Sequence, residues 1–201
     1  MGLGMARNLQ KFLAQDDHYQ SLVYFNRTIS RGDPLRELGA SPASSPQDLV
    51  QNSDIVFISL SDDSALTSTI DSLCDGENKD SLNGKIIVDT TTVHPDTTSQ
   101  VAEQLSKRGA QFIAGPVFGA SPVAAEGKLL WVLAGPDKAI QSIEPFIVGT
   151  MGRGIIRAGE KPSQATLLKT AGSVHFSQKP LYNLLRQSQE CYHSRHDGTD
   201  R

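Results

Sequence analysis

Three short apolar runs constrain this 201-residue chain more than anything else in it: Asp54–Leu60 (DIVFISL), Lys85–Asp89 (KIIVD) and Leu129–Ala134 (LLWVLA). None alternates apolar with polar residues; the first two read as strands covered on both faces, which requires helices above and below, and the third is a strand-sized run. Helical segments fall between them. Asp62 and Asp63 open one, where carboxylates favour the positive end of the helix dipole. Pro95–Lys107 forms another with proline in its first turn, and Pro136–Phe146, after the third run, reads as a further helix. Gln111–Ala114 and Gly154–Arg157 add strands, Ser21–Phe25 is a short β-prone run, and Pro34–Leu38 reads as a helical turn stopped at Gly39. Strands alternating with helices predict an α/β, doubly wound parallel sheet of the Rossmann type.

Composition narrows the partners. With 38% hydrophobic residues, 20% charged residues and a formal net charge of -3, the chain carries no electrostatic footprint for nucleic acid or an acidic membrane. Its apolar runs are strand-sized, far below the roughly 20 residues of a membrane helix. The start shows no basic region followed by an apolar core, so it does not read as a secretory signal. Two cysteines, Cys74 and Cys191, are too few for a disulfide framework and suit a reducing compartment, so the expected setting is cytoplasmic. No Gly-Lys-Ser phosphate loop, serine nucleophile elbow or pair of catalytic carboxylates is present. Cys191, His193 and His196 lie in a polar tail without a second ligand cluster, so no metal site is expected.

The chain opens with MGLGMARNL, in which Leu3, Ala6, Leu9 and Leu13 form one helical stripe with no strand before it. This segment, FNRT after a strand, VDTTTVHP and GPVFGASPVAAEGKLL, followed by ATLLKTAG, together resemble the β-hydroxyacid dehydrogenase family over residues 1 to about 172. That family includes 3-hydroxyisobutyrate dehydrogenase, 6-phosphogluconate dehydrogenase, glyoxylate reductases and imine reductases. The resemblance implies a partial NADP-binding domain over residues 1–160 and the start of an inter-domain helix over 161–174. Residues 175–201 form a divergent tail, expected to be disordered because its apolar spacing fades and Pro180 interrupts it. It also implies that Gly2 is the third glycine of a GxGxxG fingerprint whose strand and first two glycines this sequence lacks. That strand would lie between Ser21–Phe25 and Asp54–Leu60, leaving two rows of backbone groups facing a gap. Buried unpaired peptide groups cost roughly 1 to 3 kcal/mol each, against a net stability of about 5 to 15 kcal/mol. The sheet should therefore close up or the domain be poorly stable, and the chain is expected to start at an internal methionine of a longer protein. The resemblance also implies an all-helical C-terminal domain that completes the pocket and the dimer in the family, and residues 175–201 are expected not to form it. Turnover is expected to be impaired.

The candidate residues follow. After the second strand of such a fold, Asn26, Arg27 and Thr28 offer an amide, a guanidinium and a hydroxyl to a 2′-phosphate, favouring NADP over NAD. As alternatives they form a solvated turn or an unused glycosylation pattern. Leu60 and Ser61 end a buried strand at the edge where ligands bind and by resemblance touch the cofactor. In VDTTTVHP, Thr91 and Thr92 match hydroxyls that contact nicotinamide and a substrate carboxylate; otherwise they cap the next helix. In the expected substrate loop of Phe118, Gly119 and Ala120, Phe118 stands for the serine and Ala120 for a glycine of the family's APVSGG pattern, while Gly119 keeps it. A phenyl ring in place of a hydroxyl argues for a bulkier or less polar substrate, nearer the imine-reductase-like branch; the other reading packs Phe118 into the core. Lys169 falls where the family places its catalytic lysine, a proton donor to the reacting oxygen, although a lone helical lysine is usually a solvated charge. The expected function is NADP-dependent hydride transfer to or from a small hydroxyacid, carbonyl or imine. The alternative is an inert fragment that binds NADP or a partner.

Overall fold

The computed structural model describes residues 1–74 and 82–175. The chain enters on α1 (Gly2–Leu13), which buries Met5, Leu9 and Gln10 and carries Lys11 at the negative end of its dipole. The stripe expected through Leu3 is rotated. Leu3 is 41% exposed, because the helix presents Met5 and Leu9 to the core instead. β1 (Val23–Tyr24) pairs in parallel with β2 (Ser41–Pro42), and a 3-10 turn (Ile29–Gly32) and α2 (Asp33–Arg36) connect them. α3 (Pro46–Gln51) is capped by Ser45, whose hydroxyl accepts from the Asp48 N–H at 3.0 Å.

The main sheet begins with β3 (Ile55–Ile58), β4 (Ile86–Asp89) and β5 (Gln111–Ala114), all parallel and in register through Ile55, Ile86 and Gln111. α4 (Asp63–Cys74) and α5 (Pro95–Ser106) lie between these strands in sequence. Then the direction changes. β6 (Val117–Phe118) is antiparallel to β7 (Leu129–Ala134), and β7 is also antiparallel to β5 where Ala114 meets Ala134. The sheet is therefore mixed, not parallel throughout as the alternation of elements implied. Only residues 119–128 join β6 to β7, too few for a parallel crossover of about a dozen residues or more. The short α6 (Ser121–Ala125) fits within that return. Gly119 makes the bend at φ +138, and a Cβ there would lie 2.7 Å from Leu129 Cδ2. α7 (Asp137–Ile147) supplies a full crossover, so β8 (Gly152–Gly159) returns parallel to β7, and α8 (Ser163–His175) follows. The resulting order is β3-β4-β5-β7-β6 with β8 on β7.

Both faces of the sheet are covered, as the continuous apolar runs require. Ile87 and Val88, adjacent in β4, belong to opposite layers, and so do Trp131 and Val132 in β7. Leu66 and Ile70 of α4, Leu105 of α5 and Ala165 of α8 pack on one face. Met5 and Leu9 of α1 and Ile140 and Ile143 of α7 pack on the other. Every residue of β7 is buried. This is the doubly wound arrangement. Among the described residues no helix is long and apolar enough to cross a membrane.

The gap expected beside β3 is present, and the sheet does not close over it. Among the described residues no strand pairing joins the β1–β2 pair to the main sheet. The Ile86 N–H donates to the Asp54 carbonyl at 2.9 Å and the Thr90 N–H to the Ile58 carbonyl at 2.8 Å. Backbone groups of Asp54, Val56 and Ile58 thus face β4, while those of Ile55 and Phe57 face the open edge. In β1, Ser41 and Ala43 donate to the carbonyls of Leu22 and Tyr24 at 2.9 and 2.8 Å, which turns the backbone of Val23 away from β2. α1 bridges the two parts. Ala6 packs on the small cluster of Tyr24, Leu35 and Ala40, while Met5 and Leu9 pack on the main core. From residue 176 onward the expected tail, including Cys191, His193 and His196, lies outside the described residues.

This alternation in β3 has a direct readout in native-state hydrogen exchange. The amides of Val56 and Ile58 should exchange more slowly than those of Ile55 and Phe57. Equal protection along the strand would mean that its outer edge is paired.

Candidate functional site

The carboxyl ends of β3 and β4 are knitted together by side chains of the VDTTTVHP segment. The Thr90 hydroxyl donates to the Ile58 carbonyl at 2.8 Å, and the Leu60 N–H donates to Thr91 Oγ1 at 3.1 Å. Thr91 donates its own N–H to Asp89 Oδ1 at 2.9 Å. Thr90 and Thr91 are buried, whereas Thr92 is exposed and its hydroxyl makes no hydrogen bond among the described residues. Of the two expected ligand hydroxyls, Thr91 is therefore held by the loop beside it and Thr92 faces solvent. Leu60 is 37% exposed, a large apolar side chain left open at this edge. Ser61 is exposed, and its hydroxyl donates to Asp62 Oδ2 at 2.6 Å, a bond that with the Ala65 N–H holds Asp62 below the usual carboxylate range.

Asp89 is the titratable group that the sequence reading did not single out. It is 1% exposed, and burial pushes its carboxyl up to about 6 against the opposing bonds from Thr91, with the charge of Asp63 adding to the rise. Its signal in the sequence is an acid closing the apolar run KIIVD. Asp63 stays below the usual range because Thr97 and the His94 N–H donate to its Oδ1 at 2.6 and 2.9 Å, which ties α4 to α5.

The start of α1 reaches the same edge. A Cβ on Gly2 would lie 3.2 Å from Ser59 Cβ, so the helix sits as close to the end of β3 as a side chain would tolerate. The Met1 amine donates to Ser121 Oγ at 3.5 Å and Asn8 Nδ2 to the Ala124 carbonyl at 2.9 Å, placing α6 alongside. The first helical bond runs from the Met5 N–H to the Met1 carbonyl. The N–H groups of Gly2, Leu3 and Gly4 therefore have no partner within the helix.

Past β1, Asn26 donates through Nδ2 to the Thr28 carbonyl at 2.6 Å and shapes the turn. Arg27 and Thr28 are exposed, and Arg27 forms no ion pair among the described residues. Arg31, which the sequence reading passed over, is a second exposed guanidinium in the same turn, without an ion pair among the described residues. Its signal is a cation four residues after Arg27. No hydrogen bond or ion pair among the described residues links Asn26, Arg27 or Thr28 to the other candidates.

The last group is Phe118 with Lys169. Val117 faces Trp131 and Phe118 faces Leu130, while Ala114 faces Ala134, so β6 continues beyond the carboxyl end of β5. Lys169 on α8 reaches over the Phe118 ring, with Nζ 4.2 Å from its centroid. It is half-buried, and that burial holds its ammonium below the usual lysine range. Gly119 and Ala120 are exposed, and Ala120 is the N-cap of α6. Among the described residues no group of three or more metal-ligating side chains occurs.

Comparison with known proteins gives the following. The family described as the NAD binding domain of 6-phosphogluconate dehydrogenase matches residues 1–159. The NADH-dependent oxidoreductase ucdB of Aspergillus ustus is 33% identical over 175 residues, covering 86% of this chain and 56% of the relative. The chloroplastic glyoxylate/succinic semialdehyde reductase 2 of Arabidopsis thaliana is 34% identical over 170 residues, covering 83% and 44%. Among solved structures, the reductive aminase from Aspergillus terreus in complex with NADPH4, cyclohexanone and allyl amine has a TM-score of 0.71 at 25% identity, covering 93% of this chain and 59% of that one. The chain thus spans about half the length of the curated relatives it matches.

The buried carboxyl makes stability depend on pH with a definite sign. Asp89 ionises near 3.8 when unfolded but only at about 6 when folded, so its ionisation opposes folding. Its contribution is intact below 3.8, is lost as pH rises through about 6, and then stays level. The gap corresponds to about 3 kcal/mol as an order of magnitude. Asp89→Asn keeps an acceptor for Thr91 and abolishes the titration, so urea midpoints of the variant should gain on the wild type between about pH 4 and pH 7. A constant difference across that range would show that Asp89 is ionised throughout.

Proposed function

The chain belongs to the family of NAD-binding domains of 6-phosphogluconate dehydrogenase, within the β-hydroxyacid dehydrogenases, and from that premise we propose that it holds NADP along the carboxyl edge of its sheet. In this reading it contributes to hydride transfer to or from a small hydroxyacid, carbonyl or imine. The donor set fits a dinucleotide at both of its ends. Asn26, Arg27 and Thr28, with Arg31, supply two uncommitted guanidiniums and a hydroxyl for a 2′-phosphate, which favours NADP over NAD. Leu60, Ser61 and Thr92 would flank the nicotinamide end, and the free N–H groups at Gly2 would face the pyrophosphate. When bound, the nicotinamide supplies or accepts the hydride at its C4.

The remaining chemistry falls to this chain's own side chains. Lys169 holds the proton exchanged with the substrate oxygen or nitrogen, and burial keeps its ammonium more acidic than a solvated lysine. Thr92, with Thr91 behind it, orients the substrate beside Phe118, Gly119 and Ala120. The ring at Phe118 gives that wall an apolar face suited to a bulkier or less polar substrate. The observation that carries this reading is the half-buried Lys169 ammonium, which makes no ion pair among the described residues, at the end of β6. Family likeness to reductases of glyoxylate and succinic semialdehyde, and to a reductive aminase, supports the substrate class. A cytoplasmic setting and a dimeric parent complete the proposal.

One observation favours a second reading, an inert fragment that binds NADP or a partner without turnover. The β1–β2 pair, whose connecting turn holds Arg27, shares no strand pairing among the described residues with the main sheet on which α8 and its Lys169 pack. The distance between the adenosine and nicotinamide ends is therefore less firmly set than in a continuous sheet. Impaired turnover follows from the same feature.

Calorimetric titration tests the cofactor assignment. Arg27→Ala should weaken NADPH roughly ten- to hundredfold while leaving NADH unchanged, since a charge-assisted bond contributes about 1.5 to 3 kcal/mol. Equal affinity of the wild type for both cofactors would remove the NADP assignment. NADPH oxidation with glyoxylate, succinic semialdehyde and cyclic imines tests the activity. Loss of turnover in Lys169→Ala with retained NADPH binding supports the enzyme, and absence of turnover in the wild type despite binding supports the fragment.

A further inference from the structure

We propose that Phe118 is the positioning residue for Lys169: its ring face holds the ammonium at the end of β6, in place of a carboxylate or a hydrogen-bond acceptor, and leaves the N–H donors uncommitted. The contact is 4.2 Å from Nζ to the ring centroid, within the range over which an aromatic quadrupole attracts a cation. The ring is itself fixed. Phe118 pairs with Leu130 in the sheet and packs, partly buried, against the layer built by Leu105, Val132 and Ala165. Lys169 Nζ donates no hydrogen bond to a described residue, although an ammonium carries three donors.

The charged groups around α8 do not replace the ring. On α5, which packs against α8, Glu103 is paired with Lys107 at 2.8 Å, and Asp96 lies 3.5 Å from the His94 ring. On β8, Arg157 is paired with Asp137 and Glu144, and Arg153 is a like charge. β5 and β7 carry no ionisable residue. Asp89, at the end of β4, and Glu160 and Lys161, before α8, add nothing to the displacement of Lys169, whose sole cause is burial. A desolvated ammonium with no counter-charge tends to shed its proton. The ring face opposes that tendency, and because its attraction is spread over a surface it dictates no donor direction.

The consequence for proton transfer rests on the role proposed above for Lys169, but the positioning itself can be read without cofactor or substrate. The protein is reductively methylated with 13C-formaldehyde, the Lys169 signal is assigned by its loss in Lys169→Arg, and its titration is followed by NMR. Phe118→Leu keeps most of the apolar volume and removes the ring, so the Lys169 midpoint should fall by roughly half to one and a half pH units. Phe118→Tyr keeps the ring and should keep the wild-type midpoint, which a merely space-filling residue would not require. An unchanged or raised midpoint in the leucine variant overturns the proposal, as does a leucine-like midpoint in the tyrosine variant. Failure of Lys169→Ala to reduce turnover would count against the catalytic role alone and leave this titration result intact.

Discussion

The whole arrangement depends on how α1 fastens two sheets that share no strand pairing among the described residues. Gln10, 1% exposed on that helix, does much of it: its Nε2 donates to the Leu38 carbonyl at 3.0 Å and its Oε1 accepts from the Leu22 N–H at 2.8 Å. One buried amide thus satisfies the end of α2 and the approach to β1 while its helix lies on the main core. A buried polar group is tolerated only when its partners are supplied, and here both ends of the amide find backbone. The apolar contacts of Met5 and Leu9 give the attachment its strength, and Gln10 gives it a single registration. The helix thus sets the strand bearing the basic turn against the strands bearing the threonines, and α3 adds a second tie through Val50, buried in the main core, and Gln47, which donates to the Ser72 carbonyl at 2.9 Å.

A different economy operates at the carboxyl edge. Loops there must expose functional groups, yet exposed loops fluctuate. The chain resolves this by burying three consecutive polar residues, Asp89, Thr90 and Thr91, and spending their bonds on the neighbouring strand end and on one another. β-branched threonines add stiffness of their own, since χ1 has few choices. Thr92 and Leu60 consequently stand on a braced platform. The cost is a carboxyl whose burial makes it harder to ionise than an ordinary aspartate.

Much of this was legible in the sequence, for identifiable reasons. Continuous apolar runs of strand length bounded by turn residues favour strands buried on both faces, so β3 and β4 and the layering about them followed directly, and β7 followed as a strand. The gap beside β3 followed from the family resemblance of the opening helix. β2 and β6 were not foreseen because two residues, one of them Pro42, carry no periodicity, and their pairing depends on where distant segments come to rest. The antiparallel return of β7 depends on the length of the β6–β7 connection, a quantity visible only once β6 is known. Thr91 and Thr92 look alike in a string; which one turns inward is decided by the hydrogen bond from Leu60, thirty-one positions earlier. Lys169 meeting Phe118 is likewise a tertiary event between residues that had been weighed separately.

Trp131 is the chain's single tryptophan, fully buried in β7, with no hydrogen-bond partner for Nε1 among the described residues and with Phe57 edge-on at 6.1 Å. An indole in so dry and apolar a setting emits at the blue end of its range, and with no second fluorophore of its kind the emission has one origin. Phe57 belongs to β3, the strand whose outer edge is open. The protein therefore carries a built-in optical gauge seated one ring away from the outer edge of β3, and a shift of that strand reaches the indole through Phe57.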